Sequence, residues 1–262
     1  MMGIPFLREF MRMRTVARLA LVAGSVALLS TAAPAAQVAP PAADASSSAP
    51  RAGDTRELVI LVHGMGRSPA SMWLLERRLE RDGYRVEQFG YRSTRGTVAR
   101  LGQALGRRAA ERTGDAPRVH FVGHSLGTVI IRSMLVEARP ERMGRVVMLA
   151  PPNQGSASAD RWARWVGWAM PHIRELRTDS KAAARQLALP ADVEVGIIAG
   201  ARDRKVRVAE TQLAGARAHA VIDAFHSWLM NRPDVHRLIV RFFREGRFTP
   251  AASSSEALPE AA

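Results

Sequence analysis

Gly123-His124-Ser125-Leu126-Gly127 follows the apolar run Val119-His120-Phe121-Val122 and precedes a stretch with helical spacing. A serine raised on a very tight strand-to-helix turn crowds its neighbours, so the positions two before and two after it must be small. Gly123 and Gly127 satisfy that demand. The chemistry this implies is nucleophilic attack by the Ser125 hydroxyl. Such a hydroxyl is a poor nucleophile at neutral pH and needs a base in hydrogen-bond reach, itself oriented by an acid.

Among seven histidines, His226 is the expected base, in Phe225-His226-Ser227-Trp228-Leu229-Met230. It follows the last expected strand and precedes a closing helix, where a loop can fold back over the serine. His120 lies inside a strand, His124 fills the variable slot of the pentapeptide, and His172, His219 and His236 carry no motif. No histidines pair at metal-ligand spacing, and no metal or cofactor is expected. For the acid, Asp203 sits on the loop after the penultimate strand, which gives the chain order Ser, Asp, His. Asp223 is the rival and Asp192 a weaker one. A tetrahedral intermediate also needs two backbone N–H donors. Leu126 is expected to supply one, and Met65, in His63-Gly64-Met65-Gly66 after the first strand, the other. Gly64-x-Gly66 is not a dinucleotide fingerprint, because Pro69 occupies the third glycine's place.

Elements that could hold these groups alternate along the chain. Glu57 to Val62 reads as a strand buried on both faces of a parallel sheet. Ser68 is expected to cap a helix begun by Pro69, with Met72, Leu75 and Leu79 on its inner face and Asp82-Gly83 at its end. Further strands are expected at Tyr84 to Phe89, Val119 to Val122, Val146 to Leu149, Glu194 to Ala199 and Ala218 to Asp223. Helices are expected on Val98, Leu101, Leu105 and Ala109, over Thr128 to Glu137, and over Pro233 to Arg244. This alternation predicts an α/β sandwich with a mostly parallel sheet.

With its motifs in this order, the chain resembles the α/β-hydrolases of the bacterial lipase and esterase type. The matching segments are His63 to Gly66, Gly123 to Gly127, Ala150-Pro151-Pro152-Asn153-Gln154-Gly155-Ser156, Gly200 to Val206 and His226 to Met230. The resemblance implies an α/β-hydrolase fold, a compact core and cleavage of carboxylic esters, lipid or small acyl, through an acyl-serine intermediate. It also implies that Asn153 to Ser156 shape the acyl side of the pocket, so that His63, Gly64, Asn153 and Gln154 contact substrate. An acyltransferase or thioesterase could use the same three groups, and a noncatalytic envelope protein that binds lipid or a partner is the alternative of a different class. Over 158–189, Trp162, Trp165, Val166, Ala169 and Met170 share one helical face. That segment is either an ordinary packing helix or a small lid, with Trp165 against the acyl chain.

Arg8, Arg12, Arg14 and Arg18 precede an apolar run from Leu19 to Leu29 and small residues to Ala36, which reads as an export signal over 1–35. The run is short for a spanning helix, which needs about 20 residues, although an uncleaved inner-membrane anchor is the alternative. A periplasmic or secreted protein is therefore expected. Residues 36–55 read as an Ala/Pro/Ser-rich linker, 56–247 as the hydrolase domain and 248–262 as a disordered tail. With no cysteine, disulfides and thiol nucleophiles are excluded. The net charge of +14 comes almost wholly from arginines spread along the sequence, Lys181 and Lys205 being the only lysines. No basic block or aromatic-basic interleaving points to nucleic acid. A monomer with weak membrane-surface association is expected.

Overall fold

The computed structural model describes residues 53–93, 95–166 and 171–249. The expected export segment and most of the linker and tail lie outside them. Strands β1 (Leu58–Val62), β2 (Arg85–Phe89), β3 (Val119–His124), β4 (Met143–Leu149), β5 (Val195–Gly200) and β6 (Ala218–Ile222) form one sheet in the order β2-β1-β3-β4-β5-β6. Every pairing is parallel. The order reverses direction between β1 and β3, and in such sheets the crevice at the carboxyl ends beside the reversal is where ligands bind.

Alternation along β1 divides the core. Leu58, Ile60 and Val62 pack with Leu105, Val129, Ile130 and Met134 on one face, while Val59 and Leu61 pack with Leu75, Leu79, Ile239 and Phe243 on the other. The first set belongs to helices α2 (Val98–Thr113) and α3 (Leu126–Glu137), the second to α1 (Trp73–Arg81) and α7 (Pro233–Glu245). Covered on both sides, β1, β3 and β5 are buried throughout, which explains the apolar sequence of β1 and β5 and the burial of His120 and His124 in β3.

Some expectations change in detail. The turn after Ser68 begins as a 3₁₀ helix over Pro69–Met72, and Ser68 makes no side-chain cap; its carbonyl accepts from Ser71 Oγ at 2.7 Å. Proline fixes the entry dihedral without needing that cap. Phe248, assigned to the tail, is 6% exposed and packs against Phe242, so the folded unit continues past Arg247. The insertion after β4 carries short helices α4 (Ala157–Val166), α5 (Pro171–Glu175) and α6 (Ala183–Gln186). Trp168, Ala169 and Met170 lie outside the described residues, as do the side chains of Trp162, Trp165 and Val166. No described helix is long and apolar enough to cross a membrane.

Candidate active site

Ser125 occupies the turn between β3 and α3 at φ 52°, ψ −120°. A non-glycine residue rarely adopts positive φ, and this strain of about 1–3 kcal/mol persists only where the surroundings enforce it. Here the Ser125 N–H donates to Leu149 at 2.9 Å, and its carbonyl accepts from the Thr128 N–H at 3.0 Å and the Thr128 hydroxyl at 2.7 Å. The glycines of the pentapeptide are sterically demanded. A Cβ on Gly127 would meet the Val62 carbonyl oxygen at 2.2 Å, and one on Gly123 would meet the Thr128 nitrogen at 2.9 Å. Helix α3 can therefore start hard against the end of β1 only because residue 127 has no side chain.

The loop after β1 closes on the same turn. A Cβ on Gly64 would lie 3.2 Å from Ser125 Cβ and 2.8 Å from His124 Nδ1, so Gly64 is pressed against the elbow and Met65 follows directly. His63 is buried beneath this loop. Its ring stacks on Tyr91 with centroids 4.2 Å apart, and its carbonyl accepts from the Tyr91 hydroxyl at 2.6 Å. Its Nδ1 lies 3.0 Å from the Gly64 carbonyl, so Nδ1 carries the proton and buried Nε2 is left without a partner. Burial pushes the His63 pKa down and keeps the ring neutral. Leu126 opens α3, where the first-turn N–H groups have no partner within the helix.

At the same edge, on the loops after β5 and β6, Asp203 and His226 meet. His226 Nδ1 and Asp203 Oδ2 are 2.5 Å apart, and both residues are buried. The other carboxylate oxygen accepts from the Lys205 and Val206 N–H groups at 2.8 and 2.9 Å, which fixes its orientation. The rival acids are paired with arginines instead. Asp223 is exposed and pairs with Arg202 at 2.5 Å, while Asp192 pairs with Arg139 at 2.7 Å.

His124 plays a part that the variable slot gave no reason to expect. Its Nε2 lies 2.9 Å from the His226 carbonyl, 102 residues along the chain, and must donate to it. Burial, reinforced by the neighbouring His226, pushes the His124 pKa well down, so the ring is neutral and Nδ1 is bare. The elbow thus holds the backbone of the histidine that follows β6.

Asn153 and Gln154 are tied to the 3₁₀ helix Val208–Thr211 and its end. Asn153 is buried, its Nδ2 donating to Thr211 at 2.8 Å and its Oδ1 accepting from Arg132 at 3.2 Å, while Gln154 Nε2 donates to Gln212 at 3.0 Å. Arg132 is buried in α3 and also donates to the Ala184 carbonyl at 2.8 Å, linking this loop to the insertion. Its burial lowers its pKa to about 10. Trp165, expected beside this loop, has its side chain outside the described residues. No cluster of three or more potential metal ligands occurs among the described residues.

A family model described as the alpha/beta hydrolase family matches residues 59–259. The chain belongs to that family. Its fold is similar to the mature form of Bacillus licheniformis lipase BlEst2, with TM-score 0.54 and 16% identity, covering 70% of this chain and 90% of that one. A lipase-esterase related protein from Clostridium acetobutylicum gives TM-score 0.53 at 16% identity, over 73% of this chain and 96% of that one. Naproxen esterase from Bacillus subtilis gives 0.50 at 14%, over 73% and 85%. The comparison with curated proteins finds no match.

Proposed function

We propose that the protein is a serine hydrolase that cleaves carboxylic esters through an acyl-serine intermediate. The observation that carries this reading is the buried 2.5 Å contact between Asp203 and His226 at the same sheet edge as the strained Ser125. Similarity of fold to a lipase and an esterase agrees with it.

In this reading the His226 Nδ1–H donates a hydrogen bond to the Asp203 carboxylate, which leaves bare Nε2 to take the proton of Ser125 as the hydroxyl attacks the ester carbonyl. The imidazolium that forms is stabilised by the carboxylate and returns the proton to the departing alcohol. The N–H groups of Met65 and Leu126 hold the oxyanion, a contribution of about 2.7–4 kcal/mol per donor in such sites. Water, activated by the same histidine, then releases the acid and restores the serine.

A fluorophosphonate probe tests this directly. The native chain is expected to be labelled and Ser125→Ala is not; labelling that survives the substitution, or absent labelling of the folded native chain, overturns the proposal. p-Nitrophenyl esters of increasing chain length then define the acyl preference.

A further inference from the structure

Arginines that are scattered along the sequence are sorted by the fold. The loops that leave the carboxyl ends of the strands contain Arg67 after β1, Arg92 and Arg95 after β2, and Arg202, Arg204, Lys205 and Arg207 after β5. Against these seven cations the same loops hold two acids, Asp203, engaged by His226, and Asp223, paired with Arg202, while Arg207 pairs with Glu210 of the helix that follows. The loops that enter the strands at the opposite edge hold five arginines and seven acids. One edge of the sheet is therefore cationic and the other slightly anionic, and Ser125 and His226 stand on the cationic edge.

Exposed aromatic side chains follow the same division. Trp73 at the start of α1, and Phe225 and Trp228 beside His226, are 58%, 50% and 63% exposed. All three lie at the carboxyl edge, and the Arg202 guanidinium sits 5.9 Å from the centre of the Phe225 ring. Large aromatic rings are costly to leave in water, and exposed rings on an edge rich in cations match the chemistry of an anionic bilayer surface. There the rings settle at headgroup depth while the cations meet lipid phosphates.

We infer that this edge is a docking surface for an anionic lipid bilayer, with Phe225, Trp228 and Trp73 as the interfacial side chains. Docking in this orientation brings Ser125 to the membrane surface. The surface exists whether or not Ser125 is a nucleophile, so it can be tested without turnover.

Because the chain has no cysteine, one introduced thiol can carry an environment-sensitive dye. In the full chain with Ser125→Ala, the dye is placed on Ala201→Cys at the cationic edge or on Ala191→Cys at the other, both exposed positions. Vesicles of phosphatidylcholine with about one-third phosphatidylglycerol are expected to shift the emission of the dye at 201 and not at 191, and about 1 M salt is expected to weaken the shift. Arg92→Glu with Arg204→Glu is expected to raise the lipid concentration needed by about tenfold or more. Arg118→Glu with Arg139→Glu, the same charge change at the opposite edge, is expected to alter it by less than about threefold. Equal shifts at both positions, no shift at 201, equal losses in the two double variants, or a shift at 201 produced by polyglutamate but not by vesicles would overturn the inference.

Discussion

The two edges of the sheet are built to different rules. At the amino edge, positive φ is confined to glycines such as Gly83 and Gly114, and charges on the connecting loops nearly balance. At the carboxyl edge stand Ser125 and Ala150, the two non-glycine residues with positive φ among the described residues. His63 and His124 are buried there with bare ring nitrogens, and so is the Asp203–His226 pair. The difference teaches where stability has been traded for arrangement. A turn that only reverses the chain can use the residue with the lowest strain; under the proposed function the turn at Ser125 has to present a hydroxyl at a fixed place, so it keeps a side chain and accepts the strain.

The largest expected effect separates two carboxylates of the same edge. Asp203→Asn should lower kcat by about 10³- to 10⁴-fold, because an amide stabilises the wrong imidazole tautomer and no imidazolium. Asp223→Asn should leave kcat within about threefold, since that carboxylate is exposed and paired with Arg202. Equal losses measured on one ester would break the assignment. A second pair of variants compares the edges themselves. Gly127→Ala places a Cβ at 2.2 Å from a backbone oxygen, whereas Gly83→Ala, at φ 92°, meets nothing within 4 Å. Denaturant unfolding should show a loss of about 3 kcal/mol or more for the first, with activity abolished. The second should lose about 1 kcal/mol and retain full activity. A Gly127→Ala enzyme with native activity would remove the steric argument for the elbow.

The elbow was legible in the sequence because its sterics are local: five consecutive residues contain the whole constraint, and the apolar run before them marks the strand. Strand positions and helix faces were legible for the same reason, through periodicity within each element, whereas the strand order β2-β1-β3-β4-β5-β6 rests on pairings between distant segments. The choice between Asp203 and Asp223 was less so, because both end near a strand terminus. The contact with His226 is made by Asp203, through the turn from Gly200 to Val206, in which Asp203 Oδ1 accepts from two backbone N–H groups and leaves Oδ2 for His226. Nothing in the pentapeptide indicated that His124 would hold the His226 carbonyl, since that contact spans 102 residues. Arg132, too, gave no sign of its link between Asn153 and the insertion. The charge division was invisible for a related reason: loops that adjoin in space are separated in sequence by a helix and a strand, so cations of one edge look evenly scattered.

The smallest effect concerns pH and brings both edges into one measurement. Burial depresses the pKa of His63 and His124 at the carboxyl edge and takes that of His120, near the start of β3, to about 4. Each is neutral in the folded protein and would titrate near 6.5 once unfolded, so the unfolded chain binds protons first as pH falls. Their contribution to stability is complete above about pH 6.5 and declines below it; for His120 the loss continues down to about pH 4. Thermal unfolding should therefore show Tm falling by several degrees between about pH 7 and 5. The paired acid Asp54, held at about 2, responds only below its ordinary pKa of 3.8, outside that interval. His120→Gln should lower Tm at pH 7, because His120 Nδ1 accepts from the Arg145 N–H at 3.0 Å, yet make its fall with acid shallower. His120 has no contact with the Ser125 turn or the Asp203–His226 pair, so kcat of that variant at pH 7 should stay within about twofold of the native value. An unchanged acid slope would assign the pH dependence to the other histidines whose pKa burial lowers, His63, His124 and His219, and a collapse of kcat would mean that the two edges are coupled through β3.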